Sequence, residues 1–163
     1  MAFILFISFI ILLRIGELFL SGSNEKWLLQ KGAIEYGQKH YSFIVMLHIL
    51  FILSLIVEYY SKQDTAFSLP LLIFYFLVLS FKAWVILSLG KFWNTKIYHI
   101  PNIPLQKNGP YAYFKHPNYL VVMIEIAVIP LIFHLYITAI LFSILNSIML
   151  FVRIKEENRV LKI

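Results

Sequence analysis

Apolar residues run through this chain in long continuous blocks, separated by short polar intervals, with little of the period-two alternation of half-buried strands. Five blocks stand out: Met1–Leu20, Tyr41–Tyr60, Leu69–Leu89, Asn118–Phe133 and Leu135–Val152. A helix needs about 20 mostly apolar residues to cross a bilayer core, and each block reaches or approaches that length. The last two are divided only by the neighbourhood of His134, with Pro130 close to the junction. Read as one helix they would span roughly 50 Å, too long for a single crossing, so they predict a helical hairpin. The pattern predicts an all-α integral membrane protein of about five transmembrane helices. It forms one polytopic domain over 1–163, with a three-span part at 1–92 and the remainder at 93–163. Met1–Leu13 has the apolar stretch of a signal peptide but neither a basic start nor a small-residue cleavage site, and is read as a retained span.

Composition sharpens this picture. Hydrophobic residues are 61% of the chain and charged residues 13%, whereas soluble domains are near half apolar and a quarter charged. The net charge of +6 then reads as membrane-surface charge and not as a nucleic-acid footprint. Lys26, Lys31, Lys39, Lys91, Lys96, Lys107, Lys115, Arg153, Lys155, Arg159 and Lys162 fall on one side of a five-span arrangement, with only Lys62 opposite. The excess of positive charge on cytoplasmic segments places that side in the cytoplasm and the N-terminus outside. Without cysteine, disulfides, thiolate chemistry and prenylation of the chain itself are excluded.

Ionisable groups inside a span cost about 2.5–3.5 kcal/mol each and need a reason. Arg14 and Glu17 can pair on the first helix, Lys82 lies in the third, Glu125 in the fourth and Asn146 in the fifth. Paired, they would hold helices together. Gathered in one half beside one loop, they suggest a polar cavity open to the cytoplasm, with Lys82, Glu125 and Asn146 as candidates for a substrate cavity. Glu58 belongs near the outer surface.

The loop in question reads Asn108-Gly-Pro-Tyr-Ala-Tyr-Phe-Lys-His-Pro-Asn-Tyr119. Gly109-Pro110 is a turn signal. Pro117 stops a helix from continuing through His116 and suits the first turn of the next one. His116 is thereby held at a helix start, where unpaired N–H groups favour negative charge. Irregular backbone at such depth is tolerated where it lines a cavity or is packed by protein.

Gly109, Pro110, Tyr111, Lys115, His116, Pro117 and Tyr119, then a hairpin, then Arg153, Glu156 and Glu157, resemble the signature of the isoprenylcysteine carboxyl methyltransferase family. The similarity covers Trp93–Leu161. The earlier run from Arg14-Ile-Gly-Glu-Leu18 through Asn24-Glu-Lys-Trp27 to Gly37-Gln-Lys-His-Tyr41 resembles a bacterial branch associated with small lipidic acceptors such as alkylpyrones. Lys115 stands where many members have arginine. The resemblance implies S-adenosyl-L-methionine as cofactor, held by Gly109, Tyr111, His116, Pro117, Tyr119 and Glu156, with Arg153 and Glu157 in catalytic positions. It implies O-methylation of a lipidic or prenylated acceptor carrying a carboxylate or acidic hydroxyl, in the bacterial cytoplasmic membrane.

Methyl transfer is an in-line displacement that needs alignment and a dry site more than a strong base. Two other classes compete. A small-solute transporter would use the same intramembrane charges but usually shows internal repeats, and a scaffold would tolerate changes at His116 or Glu156. His40, His48, His99 and His134 are scattered without metal-ligand spacing, and no metal is expected. Trp27, Trp84 and Trp93 read as interfacial or packing residues.

Overall fold

The computed structural model describes residues 1–62, 66–101 and 103–161; Lys162, counted above with the basic tail, lies outside them. Five helices carry the fold: α1 (Ala2–Gln30), α2 (Gln38–Ser61), α3 (Leu69–Leu89), α4 (Pro117–Ile132) and α5 (Tyr136–Leu161). Four are long and apolar enough to cross a membrane, and α4, at 16 residues, is shorter. At ~1.5 Å per residue α4 reaches about 24 Å, short of a ~30 Å hydrocarbon core.

The half of the bundle that contains the α4–α5 turn holds the main apolar core. Phe3, Phe6, Ile7 and Ile10 of α1 meet Phe51 and Leu55 of α2, Tyr75 of α3, Ile126 and Ile129 of α4, and Phe142 of α5. Aromatic geometry sets the pairing: Phe3 stacks on Tyr59 at 3.7 Å, and Phe51 meets Phe142 edge-on at 5.5 Å. Outside this core the helices turn Leu5, Leu12, Ile49, Leu53, Leu77 and Ile144 outward, as a lipid-facing surface requires.

The hairpin expected at His134 is present. α4 and α5 are joined by three residues, and His134 takes a positive φ of 56°. One group on α2 and one just past its end hold the turn. Glu58 accepts from the N–H groups of Ile137 (3.1 Å) and Thr138 (2.7 Å), and Lys62 donates to the His134 carbonyl at 2.6 Å. Glu58 therefore satisfies orphan donors at the start of α5, where the helix dipole also favours a carboxylate.

At the opposite end the structure departs from the sequence expectation twice. The first helix does not stop at Leu20 but continues to Gln30, absorbing a stretch read as loop. No proline breaks it, and its extension docks through buried Ser21, Asn24 and Leu28. Asn24 Nδ2 donates to the carbonyls of Gly90 (3.2 Å) and Trp93 (2.7 Å), and Asn94 Nδ2 donates to the Ser21 carbonyl at 2.9 Å. Second, two strands form where none was expected. β1 (Ile34–Tyr36) pairs antiparallel with β2 (Ile97–His99), Ile34 opposite His99 and Tyr36 opposite Ile97. Three residues are too few to show a period, so only the pairing partner makes these segments strands.

Candidate functional site

Between the docked end of α1, the segment after α3, the start of α4 and the end of α5 lies a recess of about 180 Å³. Its apolar wall comes from Leu28, Phe92, Trp93, Ile100 and Leu105, and its polar rim from Tyr111, His116, Asn118, Tyr119, Arg153 and Glu157. The two motif halves thus meet here, although α4 and α5 separate them along the chain.

Arg153, Tyr119, Glu157 and His116 are linked to one another. Arg153, buried near the end of α5, donates from Nε to the Tyr119 hydroxyl at 2.8 Å and from a terminal nitrogen to the Thr95 carbonyl. Tyr119 in turn donates to Glu157 Oε2. His116 Nε2 lies 2.9 Å from Asn158 Oδ1, its Nδ1 is 3.6 Å from Glu157, and its ring stacks on Tyr119 with centroids 5.3 Å apart. The His116 side chain makes no cap bond to α4, so it is oriented by α5 instead. Donation from the His116 ring to the Glu157 carboxylate raises the His116 pKa above its ordinary value; burial opposes this and Asn158 adds to it. Burial, with the charge of Glu157, pushes the Tyr111 hydroxyl up and keeps it neutral.

The structure separates the other predicted positions. Pro117 is buried at the first turn of α4. Gly109 has φ 56° and backs onto α3, where a Cβ would collide with Ser88 Oγ. It holds the Gly109–Ala112 turn in place and does not line the recess. Glu156, expected on the cofactor side, faces away from the recess because one helical position turns it by about 100° from Glu157. It accepts from Arg159 at 2.6 Å and borders a second, smaller cavity with Tyr36, His40 and Tyr41.

Lys82, Glu125 and Asn146 also lie outside the recess. Lys82 and Glu125 belong to a closed four-membered network with Arg14 and Glu17. Lys82 Nζ is 3.1 Å from both oxygens of Glu125 and also contacts Glu17, and Arg14 bridges Glu17 and Glu125 at 2.9 Å each. Two cations face two carboxylates, so the network is neutral. Asn146 is buried and its Nδ2 has no hydrogen-bond partner. Glu125 lies about 9 Å further along α4 than Tyr119, so the network forms a layer of its own beneath the recess.

Sequence reasoning read Trp93 as an interfacial or packing residue and Lys96 as surface charge, and gave Asn94, Thr95 and Tyr98 no role at the site. Trp93 is buried and lines the recess, Thr95 receives Arg153, and Lys96 and Tyr98 both bond Glu25 at 2.8 Å. The polar pair Asn94-Thr95 directly after a tryptophan was the available signal. His99 also lines the recess.

A five-helix membrane scaffold with a polar recess at one end, closed by residues from both sides of a terminal hairpin, defines a small polytopic integral membrane protein with a candidate site at one end of its bundle. A profile of the isoprenylcysteine carboxyl methyltransferase family matches residues 69–163, and the chain belongs to that family. It is 43% identical to the uncharacterized protein YpbQ of Bacillus subtilis over 98% of this chain and 96% of that one. It is 31% identical to an uncharacterized protein of Haemophilus influenzae over 91% of this chain and 88% of the relative. No solved structure gives a significant match.

Proposed function

We propose that this protein transfers the methyl group of S-adenosyl-L-methionine to an oxygen of a lipidic acceptor. The observation that carries the reading is the convergence of His116, Tyr119, Arg153 and Glu157 on one recess at the end of a membrane bundle.

The donor set fits the cofactor. Glu157 offers a carboxylate to the ammonium or ribose hydroxyls, and the Tyr111 ring offers a face to a cation. Arg153 offers a guanidinium to a carboxylate, and Trp93, Phe92 and Leu105 provide an apolar wall for a purine. When bound, the cofactor supplies an electrophilic methyl group on a sulfonium. The residues of this chain position it, exclude water and steady the acceptor oxygen with the charge of Arg153. The excess of basic residues on the recess side supports a cytoplasmic recess and an outer N-terminus.

Calorimetric titration of the purified protein with S-adenosylmethionine tests this without knowledge of the acceptor. Glu157→Gln and His116→Ala should each weaken binding about ten-fold, roughly 1.4 kcal/mol, while Glu156→Gln leaves it unchanged. A folded wild-type protein that binds no cofactor would sink the reading.

A further inference from the structure

Lysines on the basic side of the bundle differ in what they face. Lys96 is engaged by acids: its ammonium lies 2.8 Å from Glu25 and 3.7 Å from Glu35, and the Tyr98 hydroxyl reaches both carboxylates as well. Lys31 and Lys91 have no carboxylate partner among the described residues. Each lies instead over the ring of Trp27, Lys31 Nζ at 6.0 Å from its centroid and Lys91 Nζ at 5.7 Å. They come from separate elements. Lys31 caps the end of α1 one turn after Trp27, and Lys91 belongs to the short helical turn Gly90–Phe92 that follows α3. An aromatic face attracts a cation, but it leaves most of the three ammonium N–H donors unused. The carboxylates nearest Lys31 in sequence, Glu25 and Glu35, are already shared with Lys96. The cluster on Trp27 therefore carries uncompensated positive charge.

Depth decides which anion meets that charge. α1 is apolar from its start, and Trp27 lies about 37 Å along it from Ala2 at ~1.5 Å per residue. A hydrocarbon core is ~30 Å thick and a bilayer with its headgroups ~40–45 Å, so the ring stands at headgroup level. The second chain segment gives the same depth independently. α3 covers about 31 Å from Leu69 to Leu89, and Lys91 follows its last residue by two positions. Beneath the cluster the surface is apolar. Leu20 lies on the Trp27 face of α1 about two turns nearer the core, Leu87 lies one turn before Lys91, and both are exposed. A soluble phosphate gains nothing from that surface, whereas a phospholipid lays acyl chains on it and brings its phosphate beside the two lysines. A zwitterionic headgroup adds its own ammonium to a patch already positive, so the patch favours a lipid of net negative charge.

We propose that Trp27, Lys31 and Lys91 form a binding site for the phosphate of an anionic phospholipid. Its oxygens accept from both ammoniums, whose flexible four-carbon stems let them close on one group. The site does not rest on the methyltransferase reading, and its three residues lie outside the recess. It bears on the recess through the back of the ring. Trp27 meets Phe92 edge-on at 5.3 Å and packs with it against Leu28 and Ile100, and Phe92, Leu28 and Ile100 line the recess. A lipid held here ties the end of α1 to the segment after α3, the two elements that build that wall.

The test titrates the full-length protein in detergent with dioleoyl phosphatidylglycerol and, in parallel, with dioleoyl phosphatidylcholine, and counts bound lipid by native mass spectrometry. With each lysine worth about five-fold, the wild type should hold one phosphatidylglycerol about 25-fold more tightly than phosphatidylcholine. Lys31→Gln and Lys91→Gln should each remove about five-fold of that preference, and the double variant nearly all of it. Lys107→Gln combined with Lys155→Gln takes the same charge from the same side and should leave the preference intact. All four lysines are exposed, and circular dichroism checks that each variant is folded. Absence of a preference in the wild type, or an unchanged preference in the Lys31/Lys91 double variant, would overturn the proposal. An equal loss in the Lys107/Lys155 pair would do the same, by reducing the site to diffuse surface charge. Inorganic phosphate offered alone should not be retained; retention as tight as that of the lipid would assign the cluster to a free anion and overturn the lipid assignment.

Discussion

Two polar layers lie about two helical turns apart in this bundle, and they use the same kinds of residue to opposite ends. In the deeper layer Arg14, Glu17, Lys82 and Glu125 are spent on one another, with Lys82 and Glu125 almost wholly buried. In the shallower layer Arg153 and Glu157 are tied through the Tyr119 hydroxyl, and both still line an open recess. A closed layer of equal charge holds helices at fixed depth and offers nothing to a ligand. An open layer, in which one neutral hydroxyl keeps cation and anion apart, keeps both charges available. The difference lies in pairing and not in residue type, so intramembrane charge alone does not mark a binding site.

The sharpest way to break this comparison is in the deeper layer. Glu125→Leu leaves Arg14 and Lys82 sharing only Glu17, and an uncompensated buried charge costs about 3–5 kcal/mol. Thermal unfolding in detergent should show a large loss of stability, and Lys82→Met added to Glu125→Leu should recover most of it. In the shallower layer Glu157→Gln should cost stability by no more than about 1 kcal/mol, because the amide can still accept from Tyr119. The same thermal measurement checks it. Equal losses from Glu125→Leu and Glu157→Gln would erase the distinction.

The smallest effect concerns pH. Bonding to Glu157 raises the His116 pKa above its ordinary 6.5. Its contribution to stability is fully present below pH 6.5 and is lost as pH rises through the raised value. The melting temperature of the wild type should therefore decline slightly as the pH rises above 6.5. In His116→Gln that part of the decline should vanish. A parallel decline in both proteins would show that the pair adds nothing.

Much of the fold was legible from the chain. The five apolar blocks, the hairpin at His134 and the turn at Gly109-Pro110 all follow from local composition and backbone preference. The extension of α1 was not legible, because Ser21, Gly22 and Asn24 favour helix only once Asn24 and Ser21 find partners at Gly90–Thr95. Nor were the strands, whose three-residue lengths carry no period. At the site, the motif put His116, Tyr119, Arg153 and Glu157 on the page together. It could not say that Glu156 faces a different cavity, or that Lys82 and Glu125 are consumed by a common network.

The sequence by itself determined which segments are helical and apolar, the family, and the residue types that could handle a charged cofactor, since these depend on composition and spacing. Only the tertiary structure decided which charges neutralise one another and which remain open to a ligand. That depends on the register between helices, and a single residue of rotation turns Glu157 into the recess and Glu156 out of it.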